Sequence, residues 1–486
     1  MTSFLRLSVI LLFNAAVSSA GLAEPSRPVS FYGDVRPIFQ KHCQGCHQPA
    51  KPHGKFVITS FKDLLRGVGD EAVVVPGKPD ESLLITEITS QDGAPPSMPK
   101  DAEPLATSDV ETIRAWIAQG AKDDTPTAAQ SRYTADSPPV YERLPVLADL
   151  DYSPDGTLLA VTGYHEVLLH NADGSGLVAR LVGLSERIES VKFSPDGKKL
   201  AVAGGLPALM GEVQIWDVEK RKLLKSIQLT HNTLYGASWS PDGKLVAFGC
   251  SDNTVRAVDA ETGKEVLYQG AHNDWVLGTA FSKDNSHLVS VSRDRSMKLI
   301  QVETQQFIDN VTSITPGALK GGLNAVERFP DRDQMLIGGA DGVPKIYKIY
   351  RTQKRVIGDD FNLIRTFEAN PGRIFDVSFR RDGKFFAVAS SLNERGELRV
   401  YESEDSAAKE KEKSAKEEEK KEEEKDKKPT EGKALWRFDV EDRLYSVAFS
   451  PDGKTVAVGG FRGIVRFIDA ETGKEIKTLS PVPVSF

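Results

Sequence analysis

A chain of 486 residues, 40% hydrophobic and 27% charged, is too long for one ordinary core and has the balance of a soluble globular protein, so two or more domains are expected. The formal net charge of -7 argues against a nucleic-acid partner, which selects basic surfaces. Three cysteines in a chain of this length exclude a disulfide scaffold.

In chain order, Arg6 precedes an apolar run from Leu7 to Val17, followed by the small residues Ser18 to Ala23. This is the order of a secretory signal, with cleavage after Ala20 or Ala23, and residues 1–23 are assigned to it. The run is too short to span a bilayer, and no later segment resembles a membrane helix; an uncleaved anchor is the alternative. The expected location is exported: periplasmic or cell-envelope.

Residues 29–123 read as helices and loops. Val35, Ile38 and Phe39 share one face of a helix over 33–42, with Pro37 tolerable only in its first turn. Ser108 with Glu111 reads as a capping box ahead of a helix carrying Val110, Ile113, Trp116 and Ile117 on one stripe, with Gly120 as its stop. Residues 124–140 are small, polar and Pro-bearing, and read as a linker.

Between those helices lies the strongest chemical signal, Cys43-Gln44-Gly45-Cys46-His47. Two thiols three positions apart suit addition to the two vinyl groups of a haem, and the next residue suits its proximal iron ligand. A redox dithiol usually sits in a βαβ unit, and a zinc site needs a second ligand pair; neither context is visible. The expectation is therefore one covalent haem c, held by thioethers to Cys43 and Cys46 with His47 on the iron. Met98, in a loop flanked by prolines, is the candidate distal ligand, with His42 and His53 as competitors.

From about Tyr141 the period changes. Tyr152-Ser-Pro-Asp-Gly156, Phe193-Ser-Pro-Asp-Gly197, Trp239-Ser-Pro-Asp-Gly243 and Phe449-Ser-Pro-Asp-Gly453 are near copies. Degenerate copies begin at Phe281, Phe329 and Phe379, and the seven leading aromatics are 41, 46, 42, 48, 50 and 70 residues apart. A period in the forties with several strands per unit is the signature of a propeller blade. In the last unit the strands are predicted at Leu444 to Phe449, Thr455 to Val458, Ile464 to Ile468 and Glu475 to Leu479. The long interval holds Lys409 to Lys428, Lys and Glu or Asp in equal numbers, within a low-complexity insertion over 405–433 of the sixth unit. The chemistry of the N-terminal region and this period together predict a multidomain fold: a small all-α domain, then an all-β seven-bladed propeller over 141–486.

Two resemblances follow from these motifs. Asp34-Val-Arg-Pro-Ile38 leading into Cys43–His47, then Pro76-Gly-Lys-Pro-Asp-Glu-Ser-Leu-Leu84, Ser97-Met98-Pro99 and Ile113 to Ala121, resemble the small cytochrome c domains of planctomycete-type bacteria. Lys100 replaces that family's second Pro, and Gly54-Lys-Phe56 replaces its Gly-Gly-Leu. This resemblance implies haem binding and electron transfer. The second region resembles WD-repeat propellers: Trp216-Asp217 is a literal WD dipeptide, and His231, His272, Asp252 and Asp294 match positions that hydrogen-bond within a blade. The combined expectation is an exported one-electron carrier whose propeller docks a redox partner or a ligand. The alternatives are a redox enzyme with its active site in the propeller, and a scaffold with a sensory or structural haem.

Overall fold

The computed structural model describes residues 27–44, 46–48, 51–52, 56–58, 61–69, 71–100, 102–125, 133–313, 320–356, 358–404 and 429–484. Residues 1–23, read above as a signal, His53 and Lys409 to Lys428 lie outside the described residues.

The chain is mostly β, with successive antiparallel sheets of WD-repeat type behind a small N-terminal helical region. Among its described residues are four α-helices: α1 (Arg36–His42), α2 (Phe61–Arg66), α3 (Leu83–Ile88) and α4 (Thr107–Ala118). Pro37 falls in the first turn of α1, where its missing N–H leaves no bond unmade, and a π-helical turn, Phe31–Val35, leads in. The stripe read on α4 is its buried side: Ile113, Trp116 and Ile117 are buried with Phe31, Val35, Phe39 and Leu64 in one core. The predicted capping box is absent. The N-cap is Ala106, and Ser108 lies inside the first turn with its carbonyl accepting from Thr112 Oγ1 at 2.8 Å. Gly120 stops the helix at φ +95°, backbone that a side chain would strain.

The sheets follow the repeat. The first, seven-stranded, begins with Leu150–Tyr152, Leu158–Thr162 and Tyr164–Asn171, and shares the long strand Leu177–Phe193 with a second unit. That unit continues through Lys199–Leu206, Met210–Asp217 and Lys222–Thr230. Further four-stranded units start at Leu234, Val276, Leu323, Arg373 and Leu444. Each Ser-Pro-Asp-Gly copy makes the same turn. Ser153 Oγ donates to Asp155 Oδ1 at 2.6 Å, the Thr157 and Leu158 amides donate back to Asp155 and Ser153, and Gly156 sits at φ +73°. Ser194 with Asp196, Ser240 with Asp242 and Ser450 with Asp452 repeat it. The Ser and Asp side chains satisfy amides that a tight hairpin leaves bare, which is why these residue types recur.

The last unit runs Leu444–Phe449, Thr455–Gly460, Val465–Asp469 and Glu475–Leu479, within two residues of the sequence reading. In the sixth unit, strand three is Arg395–Glu402 and strand four Ala434–Val440. Thr430–Gly432, just before that fourth strand, pairs in parallel with Leu363–Phe367, giving the fifth unit an extra outer strand. The first and last units touch. Leu147, Leu150, Leu159 and Val161 share a core with Ala457, Val465, Phe467 and Val482, and the Leu147 amide donates to Gly460 O at 2.9 Å. Tyr141 bridges Val484 in parallel, and His170 Nε2 lies 3.0 Å from Pro481 O. No described helix is long and apolar enough to cross a membrane.

Candidate functional site

The Cys43–His47 segment begins where α1 stops. The Cys43 and Gln44 amides both donate to Phe39 O at 2.9 Å, closing the helix, and Cys43 O then accepts from the Cys46 and His47 amides at 3.1 Å. The two cysteines thus lie in a tight turn that follows the helix. His47 leaves it as a short strand, His47–Gln48 against Lys51–Pro52, its ring 5.4 Å from Phe56. Cys43 packs on the helical core, and burial, aided by Cys46, pushes its thiol up to about 12. Met98 packs on the same core from the loop after α3, its amide donating to Glu87 O at 2.9 Å. His42, a sequence competitor, has Nε2 3.8 Å from Asp109 Oδ2; burial, with Lys41, lowers its pKa against the pull of Asp109. Among the described residues there is no group of three or more His, Cys, Asp or Glu side chains placed to hold a metal ion.

In the sheets, the sequence reading is half realised. His272 is buried, its Nδ1 2.9 Å from Asp294 Oδ2 and its Nε2 2.8 Å from Ser290 Oγ. His231 is exposed, and Asp252 instead accepts from Thr254 and Arg256. The Ser290–His272–Asp294 chain has the connectivity of a nucleophile, base and orienting acid, which sequence reading missed because 22 residues separate His272 from Asp294. Ser290 is completely buried, so no substrate reaches it, and the trio ties the fourth unit together. Cys250 is likewise fully buried, its thiol pushed up to about 12 by burial and by Asp252.

A second cluster was invisible in sequence. Lys192 Nζ lies 3.6 Å from Asp149 Oδ1 and 3.8 Å from Asp151 Oδ1. Burial works against its charge, yet the carboxylates of Asp149, Asp151, Asp376 and Glu327 outweigh it and hold the ammonium protonated. Each carboxylate also latches one unit to the next. Asp149 accepts from the Val191 amide, Asp151 from Phe193, Glu327 from Phe379 and Asp376 from Val447, at 2.6–2.9 Å. These bonds occupy amides along inner strand edges that have no neighbouring strand.

The family described as WD domain, G-beta repeat, matches residues 263–301 and 432–469. The chain is similar to WD-repeat proteins. The family described as planctomycete cytochrome C matches residues 43–102, and that of eukaryotic translation initiation factor eIF2A matches 146–260. Curated relatives are named eukaryotic translation initiation factor 3 subunit I. The protein of Emericella nidulans is 25% identical over 46% of this chain and 68% of its own length. That of Coccidioides immitis is 27% identical over the same shares, and that of Neosartorya fischeri 24% over 48% and 76%.

These relatives overturn the functional expectation built on Cys43–His47. Proteins named as subunits of a translation initiation factor match nearly half the chain, whereas the cytochrome family matches only residues 43–102. The reading as an exported, periplasmic c-type cytochrome carrying electrons to a redox partner is withdrawn on that ground, with its redox-enzyme and haem-scaffold alternatives. The single covalent haem c is withdrawn with it. Docking of protein partners through WD repeats is the part of the expectation that fits these relatives.

Proposed function

We propose that this chain is a protein-docking scaffold, built as a seven-bladed WD-repeat propeller over 141–486. Residues 29–123 form a separate N-terminal domain, 124–140 a linker and 405–433 an insertion. The contact between first and last units carries the ring reading: a shared core and a parallel bridge join strands some 300 residues apart. Lys192 supports it, because a second-unit side chain feels carboxylates of the first, fifth and sixth units, as convergence on one axis requires. Docking is supported by the relatives, which are named as subunits of a larger factor. Light scattering on chain drawn from its native cells tests this: a particle heavier than one chain is expected, and a lone chain in every extract contradicts it.

The finer reading of residues 29–123 as a planctomycete-type small cytochrome c domain rests on the match over 43–102, which contains Cys43, Cys46, His47 and Met98. These four residues are its proposed site. Intact mass and thiol counting on natively produced chain read it directly. Thiols at Cys43 and Cys46 blocked by a covalent adduct are expected on this reading, and two freely alkylatable thiols contradict it.

A further inference from the structure

The helical region rests on the outermost strand of the second sheet unit, Lys222–Thr230, through α1 and the turn before it. Polar bonds cross the junction. Tyr32 Oη donates to Leu209 O at 2.8 Å, Arg36 Nη1 to Gln228 Oε1 at 2.7 Å, and Gln40 Nε2 to that same oxygen at 3.1 Å.

Arg36 is the unusual member. It is 6% exposed, and Gln228 is 4% exposed. The guanidinium stacks 3.8 Å over the Tyr32 ring, but Nε and Nη2 find no acceptor among the described residues. Burial pulls its pKa below the usual value, with only Tyr32 pulling it back, so no carboxylate compensates the charge. A buried cation facing a neutral amide loses its hydration and gains in return one hydrogen bond to Gln228 and the face of the Tyr32 ring, with no opposite charge. Docking buries this charge and undocking rehydrates it. The leash is independently anchored: the Tyr133 ring lies 5.0 Å from His165, and Arg180 Nη2 donates to Pro139 O at 2.6 Å. The helical region can therefore leave the second unit without freeing the segment that follows it.

We propose that the N-terminal helical region is a releasable module, seated on the second sheet unit by a junction that the uncompensated Arg36 cation keeps weak. Release bares the outer edge of Lys222–Thr230, which pairs with a strand on one side only. This inference concerns a joint inside the chain and does not depend on the scaffold reading.

Hydrogen exchange on the full chain tests it, read over 31–42, with Leu245–Cys250 as an internal reference. Gln228→Glu supplies the missing carboxylate, and Arg36→Met removes the charge while keeping the stem. Each is expected to slow exchange over 31–42 at least tenfold and to leave the reference strand unchanged. If Gln228→Glu disturbs the reference strand, Arg36→Met decides alone. Exchange that is unchanged or faster over 31–42 makes Arg36 an anchor, not a weakness, and overturns the proposal.

Discussion

His272 shows how one side chain serves the fold. Its two ring nitrogens join Asp294 and Ser290 inside the fourth unit, and burial, opposed by Asp294, sets its pKa below 6.5. The folded protein then binds fewer protons at this residue than the unfolded chain. Stability from His272 is complete above about pH 6.5 and is lost as pH falls below it. His272→Ala is expected to cost about 2–4 kcal/mol, because it strands the buried Ser290 hydroxyl, takes one donor from the Asp294 carboxylate and leaves a cavity. Urea melts at pH 7.5 check this, and a loss under 0.5 kcal/mol would show that the trio is idle. Cys250, with its thiol raised by burial, should resist iodoacetamide at pH 8 until the chain is unfolded. Labelling of Cys250 in the native protein, followed by peptide mapping, is the check, and fast reaction would place it at an opening that the structure does not have. The sequence distinguished these histidines poorly: position relative to the repeat suited His231 and His272 equally, and only the partner residues separate them.

At the scale of elements, turns and strands were legible because each repeat carries its own chemistry. The Ser and Asp of every Ser-Pro-Asp-Gly copy bond to local amides, so the turn is written where it forms. The α4 capping box was not legible, since the helix is capped at Ala106, two residues before Ser108. Nor was the joint between first and last units. Stretches outside the repeat motif help to build it: Tyr141 bridges Val484, and Val482 is buried in the shared core. Removing residues 481–486 deletes that burial, the bridge and the Pro481 contact to His170. The local cost is about 2 kcal/mol. Hydrogen exchange should quicken roughly thirtyfold in Leu150–Tyr152 and Val465–Asp469 and stay unchanged in the third and fourth units. Uniform protection after the truncation would mean that the joint does not rest on this segment.

Across the whole molecule, stability is bounded from both sides of neutral pH. Burial raises Asp151, Glu327 and Asp376 above the ordinary carboxylate range, Lys192 opposing it, so the folded chain holds protons there that the unfolded chain has released. Their contribution is present at acid pH and fades as pH rises through neutrality, opposite in sign to His272. Melting temperature should therefore fall between about pH 6 and 9, and Asp376→Asn should flatten that slope; a rising curve would place these carboxylates in water. None of this cluster was visible in sequence, because it is assembled from strands more than 200 residues apart. The four residues at 43, 46, 47 and 98 were visible, and their functional reading changed because the relatives of the larger region carry a different name. Docking of protein partners by the sheets can be read by multi-angle light scattering on the chain drawn from its native cells. A particle heavier than one chain, which a partner-stripping salt wash returns to one chain, is expected; a single chain before any wash would contradict docking.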